Sequence, residues 1–185
     1  MIADRIVHLD EKFLKKRFAA EFFGYSGVSK IGNIIACYCP VSIRVGDSFT
    51  VAEQGINFVM ELPGFDDLSA IMFKRLMLLS IGQILNSELG LPITQSLDDI
   101  IIKKEHTSGG IVQNDGIVNI GKVSSCGGAK LVYIGLYNKA GEGAIPRAYS
   151  LGLDSEKLKK IMTEVIASFY SLSHDMFYRT NEIIY

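Results

Sequence analysis

Apolar residues recur every three or four positions in three parts of the chain, the spacing that places them on one face of an α-helix. Each part opens on an aspartate or a serine, side chains that cap a helix start by accepting a backbone hydrogen bond. The middle part ends at Gly90, which is followed by Pro92, a combination typical of a helix end. The three predicted helices are Asp10–Phe23, Asp66 or Asp67 to Leu89, and Asp154 or Ser155 to Leu172.

Between the helices the pattern changes to short β-branched and aromatic segments bounded by glycine and proline, which is typical of strands. In the first half, we expect Pro40 to end one strand and Gly55 to separate two others. In the second half, Asn114–Gly116 and Cys126–Gly128 supply tight turns of the kind that join antiparallel strands. The predicted strands are Asn33–Cys39, Asp47–Gln54, Ile56–Leu62, Asp99–Lys103, Gly110–Gln113, Ile117–Lys122 and Lys130–Tyr137.

This order of elements predicts an α+β fold, a mixed, mainly antiparallel sheet covered by helices on one face. We expect the last four strands to pair in sequence. The C-terminal segment Tyr178–Tyr185 is expected to pair with a partner or with the sheet edge. A chain of 185 residues is long enough for one hydrophobic core and too short for two, so a single domain over residues 1–185 is expected.

The composition narrows the choice of partners and location. A net charge of −1 gives no electrostatic argument for nucleic acid or an anionic membrane as a partner. Asp4 and Arg5 interrupt any export signal, and the 3 cysteines form an odd set, so we expect reduced thiols and a cytoplasmic location. The longest apolar segment, Leu68–Leu89, contains Lys74 and Arg75, and we expect it to be a core helix.

Five short segments stand in the order and spacing of a known protein family. They are Ala52–Leu62 (AEQGINFVMEL), Leu97–Ile100 (LDDI), Gly109–Val112 (GGIV), Ile134–Asn138 (IGLYN) and Ala148–Leu151 (AYSL). Together they resemble the biotin-protein ligase family, which shares its catalytic domain with the lipoate ligases. The resemblance implies a domain that uses ATP to convert a carboxylic acid into an acyl-adenylate and then passes the acyl group to a carrier-protein lysine.

Parts of the family pattern that handle phosphate are missing from this chain. Attack of a carboxylate on a phosphate brings like charges together, so the reaction needs cations and backbone N–H groups. The family has a Gly/Arg-rich loop after its AEQ-like strand, but here Gln54 is followed at once by Gly55 and Ile56. The family lysine before the GI strand is also replaced, because Thr107 stands three residues before Gly110, with His106 next to it in an alternative alignment. Loss of one such contact typically costs about 3 kcal/mol of transition-state stabilisation.

Two lysines on the incoming strand are candidates for a substitute catalytic cation. Lys103 and Lys104 are consecutive, so at most one of them points inward; the alternative is that both are solvated. Where the family has Trp-Pro-Asn-Asp, this chain has Ser96–Asp99. Its two acids, Asp98 and Asp99, either hold magnesium beside a phosphate or lie in solvent.

The other candidate site residues follow from the resemblance. Gly109 and Gly110 either let a ligand approach the strand backbone closely or mark a turn or bulge. Asn138 either lies near the adenylate or starts a turn. The ligand-binding residues that the resemblance implies are Gln54, Gly55, Asn57, Asp99, Gly109, Gly110 and Asn138.

Two functional hypotheses follow. In the first, the chain is a minimal ligase that attaches biotin or a related acyl acid to a biotin- or lipoyl-carrier domain, with ATP and Mg²⁺ as cofactors. In the second, it is a catalytically inactive relative, a pseudoenzyme that binds a small acid, a carrier domain or another subunit, a homodimer included. The missing loop favours the second hypothesis, and the resemblance itself favours the first.

Overall fold

The computed structural model of the chain describes residues 2–3, 32–45, 48–103, 115–126 and 128–182. These residues form eight strands and two helices, and the α+β class predicted from the sequence is confirmed. The elements are β1 (Ile2–Ala3), β2 (Asn33–Val45), β3 (Ser48–Pro63), α1 (Asp67–Leu89), β4 (Ile93–Ser96), β5 (Asp99–Ile102), β6 (Gly116–Ile117), β7 (Asn119–Cys126), β8 (Ala129–Lys139) and α2 (Ser155–Glu182). The predicted helix Asp10–Phe23 and the predicted strand Gly110–Gln113 lie outside the described residues.

The strands form a five-stranded sheet with the order β1-β2-β3-β8-β7 and a three-stranded sheet with the order β4-β5-β6. β1 is parallel to β2, and every other neighbouring pair is antiparallel. The predicted pairing of the last two strands is confirmed by the β7–β8 hairpin. The predicted strand Ile117–Lys122, however, is divided at Val118. The backbone of Val118 bonds to Ile100 of the small sheet and to Tyr137 of the large one, which links the two sheets.

Two predicted strand breaks are wrong, because long-range pairing carries the chain through both of them. β2 continues past Pro40 to Val45, and Pro40 lies at a β-bulge, where a missing N–H interrupts no ladder bond. β3 is one strand of 16 residues that passes through Gly55 without a break. Only its pairing with β8 shifts, between Gln54 and Gly55.

The caps of α1 match the predicted helix limits. The Asp66 carboxylate accepts a hydrogen bond from the backbone N–H of Ser69 at 2.7 Å. At the other end, Gly90 adopts a left-handed conformation with φ 62°, and its N–H donates to the carbonyl of Asn86 at 2.9 Å. By length and apolar composition alone, α1 could also cross a membrane. However, 44% of its most apolar 18-residue stretch is buried inside the protein.

α2 begins as predicted but ends later. Asp154 accepts from the backbone N–H of Lys157 at 2.9 Å, which is the expected N-cap bond. The helix then continues beyond Leu172 to Glu182, because Met176 extends its apolar stripe onto the core. Of the two alternatives for the segment from Tyr178 onward, pairing with the sheet edge is therefore wrong as far as Glu182, and pairing with a partner stays a prediction.

Both faces of the large sheet are buried. On one face, the strands pack against α1 and α2, and the rings of Phe73 and Phe169 join the two helices edge to face at 5.7 Å. We call this the helix face. On the other face, a second apolar cluster is centred on Cys37, Val59 and Tyr133. We call this the opposite face. Because side chains alternate along a strand, consecutive candidate residues point to different faces.

Candidate functional site

Three polar side chains meet on the helix face where β2, β3 and β8 run side by side. The Tyr38 hydroxyl donates a hydrogen bond to Oε1 of Gln54 and accepts one from Nδ2 of Asn138 at 3.0 Å. Gln54 and Asn138 are two of the residues implied by the resemblance, and the structure brings them together through Tyr38. The sequence did not single out Tyr38, because its role depends on strand register.

Asn138 also fastens the loop that leads into α2. Its Oδ1 accepts from the backbone N–H of Leu153 at 2.7 Å, and its Nδ2 donates to the carbonyl of Leu153 at 3.2 Å. With Tyr38 as a further partner, both the donor and the acceptor groups of the buried amide are used. Asn138 therefore holds the chain rather than simply starting a turn.

Asn57 lies on the opposite face and is fully buried. Its Nδ2 donates to the carbonyls of Gly55 at 2.9 Å and Cys39 at 3.2 Å, while its Oδ1 accepts from the Tyr133 hydroxyl at 2.9 Å. Burial raises the pKa of Tyr133 well above its usual value, so this hydroxyl stays protonated and remains a donor. The amide is satisfied internally, as buried polar groups require.

The glycine in β8 makes room for this hydrogen bond. A Cβ at Gly135 would lie 2.2 Å from the Tyr133 hydroxyl oxygen and 3.1 Å from Oδ1 of Asn57. The space above Gly135 is therefore occupied by the phenol of the chain itself. Gly55 is also closely approached, since its Cβ would lie 3.2 Å from the Leu136 carbonyl.

The two cysteines of β2 adjoin this cluster. The sulfur atoms of Cys37 and Cys39 lie 3.8 Å apart, and both thiols are buried and free of disulfides. The hydrogen bond with Cys39, together with burial, raises the pKa of Cys37 well above its usual value. Such a thiol is protonated at neutral pH and a poor nucleophile, which is typical of a structural cysteine.

A separate charged cluster forms at the turn between β4 and β5. Nζ of Lys74 and Nε of Arg75 each lie 3.2 Å from Oδ1 of Asp98. Partial burial favours a higher pKa for Asp98, but the hydrogen bonds and positive charges of these two side chains outweigh it and lower the pKa. For Asp99, burial and then the negative charge of Asp98 raise the pKa.

Lys74 is a functional candidate that was not predicted, because in the sequence it is only a polar residue within an apolar segment. It is buried, and its aliphatic chain crosses β7 at Gly121, where a Cβ would lie 3.4 Å from its Cδ. Beside it, Oδ1 of Asn119 accepts from the N–H of Ile100 at 2.6 Å, and Nδ2 donates to the carbonyl of Asp98 at 2.9 Å. The sequence itself shows only two basic residues, Lys74 and Arg75, within an apolar segment and two acidic residues further along the chain. It does not show that these residues contact each other.

The remaining predicted site residues do not join these clusters within the described ranges. Lys103 is exposed, and its backbone N–H donates to the carbonyl of Pro92 at 3.0 Å. Lys104, Gly109 and Gly110 lie outside the described residues. Among the residues that the structure describes, no group of three or more His, Cys, Asp or Glu side chains is arranged to hold a metal ion.

The candidate residues therefore fall into three places. Gln54 and Asn138 lie on the helix face, Gly55 and Asn57 belong to the cluster of the opposite face, and Asp99 lies at the start of β5 in the small sheet. The position after Gln54, where the family has its phosphate-binding loop, is occupied by continuous strand.

Comparison with solved structures identifies the fold. A protein of unknown function from Pyrococcus horikoshi superposes with a TM-score of 0.75 at 17% identity, over 95% of this chain and 94% of that one. The biotin protein ligase from Aquifex aeolicus, in complex with biotin and ATP, gives a TM-score of 0.55 at 17% identity, over 93% of this chain and 73% of that one. The chain thus has the fold of the biotin and lipoate ligases.

A third neighbour is a bi-partite lipoate protein ligase from Thermoplasma acidophilum, described together with its E2 lipoyl domain. It gives a TM-score of 0.52 at 10% identity, over 96% of this chain and 92% of that one. No protein-family model matches the sequence. No curated protein matches it either. The resemblance found in the sequence is thus supported at the level of the fold.

Proposed function

We propose that this chain is a ligase-fold binding protein, which binds a small carboxylic acid of the biotin or lipoate class without activating it as an acyl-adenylate. The observation that carries the proposal is the continuity of β3 through Gln54 and Gly55, where the resemblance calls for a phosphate-binding loop. Adenylation needs several cations and N–H groups aimed at the phosphates. A strand whose backbone groups pair with β2 and β8 offers few of them.

The bonding of the candidate side chains supports the absence of adenylation. Asn57 and Asn138 use their amide groups within the fold, and Asp98 is already neutralised by Lys74 and Arg75. Binding Mg²⁺ at Asp98 would require this carboxylate to exchange two cations for a third. The carrier domain that bears the acid is the protein partner that agrees with the fold neighbours, one of which is described with its E2 lipoyl domain.

The test uses the purified full chain with biotin, lipoate or octanoate, with and without ATP and Mg²⁺. We expect calorimetry to detect binding of one acid at the same affinity in both conditions. We also expect no acyl-AMP and no pyrophosphate from labelled ATP at high protein concentration. Formation of acyl-AMP would overturn the proposal, as would failure of all three acids to bind to folded protein.

The second candidate is a divergent ligase that attaches biotin or a related acid to a carrier lysine through an acyl-adenylate, with ATP and Mg²⁺. The observation that favours this candidate is the backbone conformation of Arg147. This residue holds a left-handed backbone conformation with φ 69°, which is unfavourable for a side chain and concentrated at functional sites. It is exposed, and its Nε donates to the carbonyl of Asp115 at 3.0 Å.

Arg147 also lies close enough to Asp99 for its charge to act on that carboxylate. A guanidinium at this position would replace part of the missing positive loop. If the labelled-ATP assay detects product, we expect Arg147→Ala to reduce it at least about a hundredfold. Lys157→Ala, which alters an exposed lysine on α2, serves as the control and should leave the rate nearly unchanged.

A further inference from the structure

The outward face of α1 is apolar over most of its length. Four large side chains are spaced along one stripe of the helix, and each is substantially exposed. They are Leu68, Met72, Leu76 and Leu79, with exposed fractions of 69%, 46%, 37% and 46%. Such a continuous apolar surface is uncommon on a monomer and is typical of an interface.

The same helix presents almost no charge to the outside. From Leu68 to Ser87 its charged residues are Lys74 and Arg75. Lys74 is buried, and both are engaged with Asp98 at the flank of the helix. The outward stripe is therefore neutral as well as apolar.

A groove runs beside this stripe, between α1 and α2. It has a volume of about 250 Å³. Its lining combines leucines with small polar residues, namely Leu76, Leu79, Ser80, Gln83, Ser168, Ser171 and Leu172. The part of α2 from Val165 to His174 contains no Asp, Glu, Lys or Arg, so the neutral surface extends across both helices.

Charged residues border this neutral surface at both of its ends. At one end, Lys160 of α2 pairs with Glu88 of α1 at 2.8 Å. At the other end, Asp67 pairs with Lys130 at the start of α1. An apolar centre with a charged rim is the usual anatomy of a protein interface.

We infer that this two-helix surface binds a second copy of the same chain about a two-fold axis. A neutral apolar patch is self-complementary, whereas a charged patch would repel its own copy. The surface also offers both parts of a packing contact, because the exposed leucines of one copy can occupy the groove of the other. The neutral part of α1 is about 30 Å long and that of α2 about 15 Å, and each helix is about 10 Å wide, so the projected surface is roughly 450 Å², close to the roughly 500 Å² per partner that a specific interface needs.

A membrane surface is the competing occupant of this patch. Helices that lie on membranes usually carry Lys or Arg along their polar flank, where they attract anionic lipid. The two basic residues of α1 within the neutral stretch are instead paired with Asp98. This arrangement favours the second copy.

Sedimentation of the full chain over a concentration series tests the inference. We expect the wild-type mass to rise with concentration from 20.4 kDa toward twice that value. The double variant Leu76→Glu/Leu79→Glu places like charges on both copies, and we expect it to weaken association at least about thirtyfold. Tyr178→Glu is the matched control, because Tyr178 is similarly exposed on α2 but does not line the groove, and it should not change the dimer.

A charge swap keeps the test informative. We expect Leu76→Lys/Leu79→Lys to be monomeric alone and to form a heterodimer when mixed with the double glutamate variant, since only a two-fold contact brings these positions together. A wild-type chain that stays monomeric at its highest soluble concentration would overturn the inference, as would a dimer insensitive to the glutamates when circular dichroism shows native folding. A monomer that sediments with phosphatidylcholine or phosphatidylglycerol vesicles would assign the surface to a membrane instead.

Discussion

The Tyr133 hydroxyl donates a hydrogen bond to Oδ1 of Asn57 at 2.9 Å, and it does so in the space that Gly135 leaves open. This contact joins β3 to β8 on the opposite face of the large sheet. It explains a glycine within an apolar strand without any ligand, because a side chain of the fold fills the space. Two measurements can separate this structural role from a role in a binding pocket.

Replacing Tyr133 with phenylalanine removes the donor but keeps the ring. We expect Tyr133→Phe to lower the free energy of unfolding by about 1–3 kcal/mol, because Oδ1 of Asn57 is left buried without a partner. Urea denaturation measures the change. Tyr38→Phe is a useful comparison, since Tyr38 is only half-buried and water can replace its lost bonds, so its effect should be smaller. A Tyr133→Phe protein with the same free energy of unfolding as the wild type would show that the hydrogen bond contributes little to stability.

Gly135→Ala tests the packing itself. The new Cβ would lie 2.2 Å from the Tyr133 hydroxyl oxygen, so we expect a loss of about 3 kcal/mol, at the upper end for an overpacked core. In the Tyr133→Phe background the nearest contact becomes the ring carbon at 2.9 Å, and the alanine should cost about 1 kcal/mol less. A double-mutant cycle measures this coupling. Strictly additive losses would mean that the two residues do not share the space.

The parts of the fold that the sequence predicts well are those that local chemistry controls. The caps at Asp66 and Gly90 act within one helical turn, and the β7–β8 hairpin depends on a short turn. Pro40 and Gly55 are local break signals of the same kind, yet both lie inside strands. There the pairing of β2 with β3 along most of their length outweighs the local preference.

The candidate site was harder to predict because its contacts join distant parts of the chain. Tyr133 and Asn57 are 76 residues apart, and Asn138 and Tyr38 are 100 residues apart. Such pairs depend on strand register, which a pattern of residue types does not determine. The family resemblance identified Asn57 and Asn138 but left their partners unknown. For the same reason, the resemblance did not predict the ion pair between Asp98 and Lys74 of α1.

The two aspartates of the β4–β5 turn should respond to pH with opposite signs. The pKa of Asp98 is lowered in the fold, so its charged form stabilises the protein above the unfolded pKa of about 3.9, and this contribution is lost as pH falls through the lowered folded pKa. The pKa of Asp99 is raised, so its charge destabilises the fold as pH rises from the unfolded pKa of about 3.9 through the raised folded pKa.

We therefore expect Asp98→Asn to destabilise the protein at pH 7 and Asp99→Asn to stabilise it, each by about 1 kcal/mol or less because solvent screens both groups. As pH falls, the Asp99 difference should shrink first, as pH passes the raised pKa of Asp99, and the Asp98 difference should shrink only below about pH 3.9, as pH falls toward the lowered pKa of Asp98. Thermal unfolding of the two variants and the wild type across this pH range measures the effect. Equal signs for the two variants at pH 7 would contradict the assignment of Lys74 and Arg75 to Asp98.

Asn138 provides the sharpest separation between a structural residue and a ligand contact. Asn138→Ala removes the acceptor of the Leu153 N–H, so a buried donor loses its partner, and we expect a loss of about 2 kcal/mol. Amide exchange at Leu153 should accelerate, because the loop before α2 is no longer fastened to β8. Asn138→Asp keeps that acceptor and removes the donor to the Leu153 carbonyl and Tyr38, so it should restore slow exchange at Leu153. A residue that served only to contact a ligand would change acid binding in both variants and leave the exchange of Leu153 as it is in the wild type.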